Sequence, residues 1–205
     1  FEEIIAVLSL YRPGPMDMIP SFILRKHKKE PIEYDHEWMS EILSETYGIM
    51  VYQEQVMQIA SKLANYSLGE GDVLRRAMGK KDMNEMAKQR SKFLSGCMQN
   101  NITEQVATNI FDKMEKFAEY GFNKSHAAAY GYITYVTAYL KANFPNHWLA
   151  SLMTCDQDDT SKIAKFIHEC QAMNIAVLPP DVNESGAEFM ATSSGIRYAL
   201  CAIKG

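Results

Sequence analysis

Apolar residues that recur at helical spacing constrain this chain more than any other feature. Tyr52, Val56, Ile59, Ala60 and Leu63 share one face of a helix over residues 51–64. The same spacing predicts helices over 2–10 and 19–29, and a short acidic one after Pro31 and Asp35 with Trp38, Ile42 and Leu43 facing inward. Further helices are expected from Ser67 to Gly79, from Asp82 to about Gln99, and after Thr103, with Val106, Ile110, Met114 and Phe117 on one face. Three more run from Asn123 or Ser125 to Pro145, from there through Met153, and over 161–173. Tyr11-Arg12-Pro13-Gly14-Pro15 is a rigid turn that excludes regular structure. Beyond Ile175 the pattern changes. Val177-Leu178, Glu188-Phe189-Met190 and Ile196-Arg197-Tyr198 read as short strands, and Ser193-Ser194-Gly195 turns the last two into a hairpin. The expected fold class is mainly α, a multi-helix domain with a small β-hairpin or strand appendix near the C-terminus. Its parts are 1–46, holding the Pro-Gly-Pro turn with basic and acidic helices, a helical core over 47–174, and the strands of 175–205.

The stretch most suggestive of chemistry is Val73-Leu74-Arg75-Arg76-Ala77-Met78-Gly79-Lys80-Lys81. Ser67-Leu68-Gly69-Glu70 ahead of it has the Ser-x-x-Glu spacing of a capping box, and Gly79 suits a left-handed stop. Val73, Leu74, Ala77 and Met78 form an apolar stripe, with Arg75 and Arg76 each roughly 130° from its centre by the helical step. Two guanidinium groups would thus project from a helix packed along its back. Arg holds phosphate oxygens well because it offers a planar fork of donors and stays charged. The plainer alternative is a solvated face, or pairing with nearby acids.

Charge is unevenly placed. The chain has 21 Lys and Arg against 25 Asp and Glu, a formal net charge of −4. Yet Glu30 to Glu54 holds seven acidic side chains and no Lys or Arg, whereas Arg75 to Lys92 holds seven basic ones against Asp82 and Glu85. Local sign governs attraction to a polyanion. Arg25-Lys26-His27-Lys28-Lys29 is a second basic run, a nucleic-acid backbone contact or a solvated helix end. Cys97, Cys155, Cys170 and Cys201 contain no Cys-x-x-Cys pair, which argues against a zinc site or a disulfide framework. No apolar run approaches the ~20 residues of a membrane span, and Phe1-Glu2-Glu3 does not begin a signal peptide. The chain reads as a piece of something longer.

Three other features carry competing readings. Lys124 and His126, in Tyr120-Gly121-Phe122-Asn123-Lys124-Ser125-His126, would sit near a helix N-terminus, where free N–H groups favour anions. Tyr132, Tyr135 and Tyr139 follow at helical spacing; they suit a packed core face with hydroxyls at the rim better than a base-stacking stripe. Asp156-Gln157-Asp158-Asp159 resembles a carboxylate cluster for metal, but its place before Thr160-Ser161 favours helix capping in a solvated loop. Gln53, Glu54, Gln55 and Gln58 read as polar surface.

The strings Tyr11 to Pro15, Tyr47-Gly48-Ile49 through Tyr52-Gln53-Glu54-Gln55-Val56-Met57, Leu74 to Lys81 and Tyr120 to His126 with Ala128-Ala129-Tyr130 occur in this order. Leu178-Pro179-Pro180-Asp181 and Ala202-Ile203-Lys204-Gly205 follow. Through them the chain resembles the C-family replicative DNA polymerases of bacteria, the family of the DNA polymerase III alpha subunit, in its fingers region. The resemblance implies a bacterial cytoplasmic, nucleoid-associated nucleotidyltransferase in DNA replication. The chain would then be a fingers domain binding the incoming deoxynucleoside triphosphate and primer–template DNA. It assigns nucleotide binding to Arg75 and Arg76, with Lys80, Lys124 and His126 as further candidates, and DNA contact to Arg25, Lys26, Lys81, Lys88 and Arg90. It places the catalytic aspartates and their Mg2+ on a palm domain upstream of Phe1, so no catalytic or metal-binding residue is assigned here and the piece is expected to be inactive alone. The family's helix-hairpin-helix and sliding-clamp segments are expected after Gly205, so partners of the holoenzyme would be met outside this chain. The rival reading is a non-catalytic nucleic-acid-binding or protein-assembly helical module.

Overall fold

The computed structural model describes residues 1–80, 82–118 and 120–203. Among these, ten α-helices precede a three-stranded sheet. The chain divides into two compact units, 1–132 and 133–205.

The first unit begins with α1 (Glu2–Leu10), which buries Ile5, Ala6, Ser9 and Leu10. The Pro-Gly-Pro turn follows, with Gly14 at φ +105°. The ring of Tyr120 covers Gly14 so closely that a Cβ there would lie 2.2 Å from a ring carbon, so the turn needs glycine for both conformation and space. In α2 (Ile19–Lys26) the helix is shorter than the expected 19–29, because Lys28 adopts positive φ. The acidic segment is broken into two 3-10 turns around a four-residue α3 (Ser40–Leu43). Met39, Leu43 and Thr46 are its buried residues, whereas Trp38 lies exposed at its edge and not inward as its spacing suggests. The short element turns too tightly to keep one stripe over residues 38–43.

Helices α4 (Gln53–Ala64), α5 (Leu68–Lys80), α6 (Met83–Gln99) and α7 (Glu104–Ala118) form the main core. It joins Val56, Ile59 and Leu63 of α4 to Leu74 and Met78 of α5, Phe93 of α6, and Ile110 and Met114 of α7. Asp82 caps α6 by accepting from the N–H groups of Asn84 and Glu85, and Thr103 caps α7 through the N–H of Val106. Gly79 lies inside α5, which runs to Lys80, so it is not the expected left-handed stop. A second cluster packs Ile5, Leu10 and Phe22 with Ile49, Val51, Tyr52 and Ala127.

Helix α8 (Lys124–Asn143) passes from the first unit into the second. Its buried residues are the small Ala127 and Gly131, the latter close against Ile5. Tyr132, Tyr135 and Tyr139 are exposed, which corrects the expected core face. Small residues in the first two turns do this helix's packing, leaving the tyrosines at solvent.

In the second unit, α9 (Pro145–Cys155) and α10 (Thr160–Ala172) pack Leu149, Met153, Ile163 and Cys170 with Phe189 and Ile196. Strands β1 (Val177–Leu178), β2 (Met190–Thr192) and β3 (Gly195–Arg197) form a sheet in the order β1-β3-β2. Val177 pairs in parallel with Ile196, and Ala191 antiparallel with Ile196. The hairpin occurs where expected, but its first strand lies two residues later than the Glu188-Phe189-Met190 pattern, freeing Phe189 to enter the core. Asp159 caps α10 through the N–H groups of Ser161 and Lys162, and Asp156 pairs with Lys162. The acidic run is therefore engaged in capping and pairing.

Candidate functional site

The arginine helix is built as its sequence suggests at its start. The Ser67 N–H and hydroxyl both donate to Glu70, at 2.9 and 2.8 Å, and the Glu70 N–H donates back to the Ser67 hydroxyl at 3.3 Å. This reciprocal box satisfies donors that a helix start leaves open. Lys92 also pairs with Glu70, and together with Ser67 it holds that carboxyl down to about 2. Leu74, Ala77 and Met78 are buried along the back of α5, with Gly71 against Met57 of α4.

Arg75 and Arg76 converge on a single carboxylate. Asp72 Oδ1 accepts from Arg75 Nε at 3.0 Å and Nη2 at 2.7 Å, and Asp72 Oδ2 lies 3.1 Å from Arg76 Nε. The hydrogen bond and charge of Arg75, with the charge of Arg76, hold the Asp72 carboxyl below its ordinary range. Arg75 is half-buried and Arg76 exposed. On its inner side Arg75 borders a small pocket with Gln53, Val56, Met78, Gly79, Phe117 and Gly121. Lys80 is exposed at the end of the helix. Lys81 lies outside the described residues.

The 120–126 string meets α4 beside that pocket. Phe122 bridges in parallel to Tyr52; its carbonyl accepts from the Gln53 N–H at 2.9 Å, and the Gln53 side chain donates to the Gly121 carbonyl at 3.2 Å. The start of α8 is capped twice. Asn123 Oδ1 accepts from the His126 N–H at 2.9 Å, and Glu54 accepts from the Lys124 N–H and the Asn123 amide. The carboxylate of Glu54 thus sits where an anion was expected to be drawn. Lys124 Nζ reaches Glu45 at 2.7 Å and lies over the Tyr52 ring. It borders an open groove of about 880 Å³ whose other charged walls are Glu41, Glu45, Glu54 and Lys62. The His126 ring packs edge-on to Phe122 and against Tyr130. Gly121 is therefore brought to Arg75, while Lys124 turns to the acidic groove.

Four of the other candidate cations, Arg25, Lys26, Lys88 and Arg90, are also engaged. Arg25 donates to Glu30 at 2.7 Å and to the Tyr47 carbonyl, and Lys26 pairs with Glu3, whose carboxyl it lowers together with the Tyr47 hydroxyl. Lys88 lies 3.7 Å from Glu85. Arg90 pairs with Asp112 at 2.6 Å and stacks over Phe111. The positive surplus read along residues 75–92 is reduced by Glu70, Asp72, Asp112 and Glu115, acids that lie before and after that window.

Two sets of residues were not read from sequence. Gln55 is buried, not surface: Oε1 accepts from the N–H groups of Val51 and Tyr52, and Nε2 donates to Thr46. Its signal is the third position of a helix, where a Gln can reach back to the cap. Arg12 donates to the carbonyls of Ser9 and Tyr120 and lies 4.4 Å from the Phe122 ring centre. No local signal reveals its contacts with Tyr120 and Phe122, which lie far along the chain.

Residues 1–101 match the family model described as the bacterial DNA polymerase III alpha subunit finger domain. Residues 174–205 match a helix-hairpin-helix motif, which therefore starts within this chain and not after Gly205. The chain is 70% identical over 205 residues to the DNA polymerase III subunit alpha of Chlamydia trachomatis serovar D, covering all of this chain and 17% of that protein. It is 50% identical to the Thermus aquaticus protein of the same name, over 99% of this chain and 17% of that one. It is 49% identical to the Escherichia coli K12 protein, over all of this chain and 18% of that one. The chain thus spans about a sixth of the relatives it matches.

Proposed function

Since the chain belongs to the bacterial DNA polymerase III alpha subunit family, as part of its finger region, we propose that it serves DNA-templated DNA synthesis by holding the incoming deoxynucleoside triphosphate on α5. The observation that carries this reading is the convergence of Arg75 and Arg76 on one carboxylate at an accessible edge of a packed helix. Guanidinium groups that engage a carboxylate suit phosphate oxygens in the same way. In phosphoryl transfer the residues' task is to hold charge on the β- and γ-phosphates as pyrophosphate leaves, and fixed cations do this without reorganising. Lys80 extends the same end of the helix. Lys124 and His126 act on the nucleotide or primer–template side, Lys124 after release from Glu45.

Contact with the DNA backbone falls to Arg25, Lys26, Lys81, Lys88 and Arg90, as sequence-independent charge. The helix-hairpin-helix match supports further DNA contact from residues 174–205. Partners are primer–template DNA, deoxynucleoside triphosphates and, through other parts of the polymerase, the holoenzyme subunits and sliding clamp. Mg2+ supplies Lewis-acid assistance to such transfers. The described residues bring together no group of three His, Cys, Asp or Glu that fits it.

In the whole polymerase, Arg75→Ala or Arg76→Ala is expected to lower nucleotide incorporation on the order of 10²-fold, with primed-DNA binding little changed. Steady-state incorporation and DNA binding across a salt series measure this. Equal loss of both, with a smaller salt slope, would make the arginines backbone contacts and favour the binding-module reading.

A further inference from the structure

We propose that Asp72 is the internal counter-anion of the arginine pair and sets how tightly that pair holds the phosphates of a nucleotide. The inference rests on the reading that Arg75 and Arg76 bind those phosphates. Asp72 touches no reacting atom in that scheme; it acts through the two arginines.

Both oxygens of Asp72 face an arginine. Arg75 directs Nε and Nη2 at Oδ1, and Arg76 Nε faces Oδ2. Those nitrogens are among the donors that a phosphate would need, so the carboxylate occupies part of the phosphate's seat. The seat is open to an outside anion, because the Asp72 and Arg76 side chains are 39% and 57% exposed. Arg75 also borders a small pocket with Gln53 and Gly121. A phosphate that takes the Nε and Nη2 donors of Arg75 therefore competes with Asp72 for them.

Asp72 has two opposed effects. It keeps the guanidinium forks turned to one point, which favours binding. It also fills donors and repels a second anion. The second effect wins on magnitude. A partly exposed ion pair orders its side chains weakly, whereas a triphosphate carries several negative charges, each of which feels a carboxylate a few ångströms away. Filling the seat in the absence of nucleotide also disfavours capture of stray anions by α5.

The test uses the whole polymerase carrying Asp72→Asn, Asp72→Glu, Arg75→Ala, Arg76→Ala, and Asp72→Asn added to the two arginine variants together. KM for a deoxynucleoside triphosphate and inhibition by pyrophosphate are measured at fixed primer–template. Primed-DNA binding and thermal melting serve as folding controls. Asp72→Asn is expected to lower KM and the inhibitory pyrophosphate concentration by about two- to five-fold, the scale of a partly exposed pair, with kcat not raised. Asp72→Glu, which keeps the anion, is expected to return both toward the parent values. Without the arginines, Asp72→Asn should lower both by less than it does in their presence. An unchanged or raised KM in Asp72→Asn, where Arg75→Ala and Arg76→Ala do raise it, overturns the counter-anion role and leaves the nucleotide reading standing. If the arginine variants leave KM unchanged, the nucleotide reading fails and this inference falls with it.

Discussion

Glu70 stabilises α5 most strongly as an anion, because it accepts from the N–H and hydroxyl of Ser67 and pairs with Lys92 at once. Its carboxyl falls from an ordinary 4.5 to about 2. A depressed acid contributes stability that is fully present above the unfolded value and lost as pH falls through the folded one. Glu70→Gln should therefore be less stable than the parent at pH 7, and the gap should close between about 4.5 and about 2. Urea unfolding midpoints of both proteins over that range measure it; a gap that persists to the acid end would rule out the carboxylate's charge as its origin. This box was legible in sequence because its members are three residues apart. Arg12 was not, because it stacks on Phe122 and reaches Tyr120 far along the chain. Nor was the burial of Gln55, whose polarity masks its role in closing the turn before α4.

Helix α6 crosses α4 where glycine permits backbone approach. A Cβ on Gly96 would lie 2.3 Å from the Ala64 carbonyl oxygen, which cannot move without shifting the end of α4. Asn100 fastens the same crossing by donating to the Leu63 carbonyl at 2.9 Å. Gly96→Ala should destabilise the protein by about 1–3 kcal/mol through overpacking, although alanine is the better helix former. Thermal or denaturant unfolding decides the sign: a stabilised variant would mean that the crossing relaxes freely. Most helices were legible from their apolar spacing, with ends set by Asp82, Thr103, Asn123 and Asp159. The tyrosines of α8 were misjudged because spacing shows that residues share a side but not whether anything covers it. Capping of α8 by Glu54 was likewise hidden, since the carboxylate comes from a different helix.

Across the molecule, the two compact units have separate buried clusters. The second is organised around Ile196, fully buried at the centre of the sheet, with Leu149, Met153 and Phe189 about it. Ile196→Ala should cost about 2–4 kcal/mol by leaving a cavity in that core. The loss should appear as reduced amide-exchange protection over residues 145–202. Protection that falls only within the α4–α7 core would contradict the separate cluster.

Sequence by itself determined the helical class, the late strands, the ends of most helices and the family, because each rests on local spacing, local caps or ordered strings of residues. Tertiary structure decided what most of the charges do. Arg75 and Arg76 share Asp72, Lys124 turns to Glu45, and Arg90 meets Asp112. An electrostatic partner is fixed by distance in space, and of these pairs only the arginines with Asp72 lie within a helical turn of one another. The rest required the packing of helices far apart in the chain.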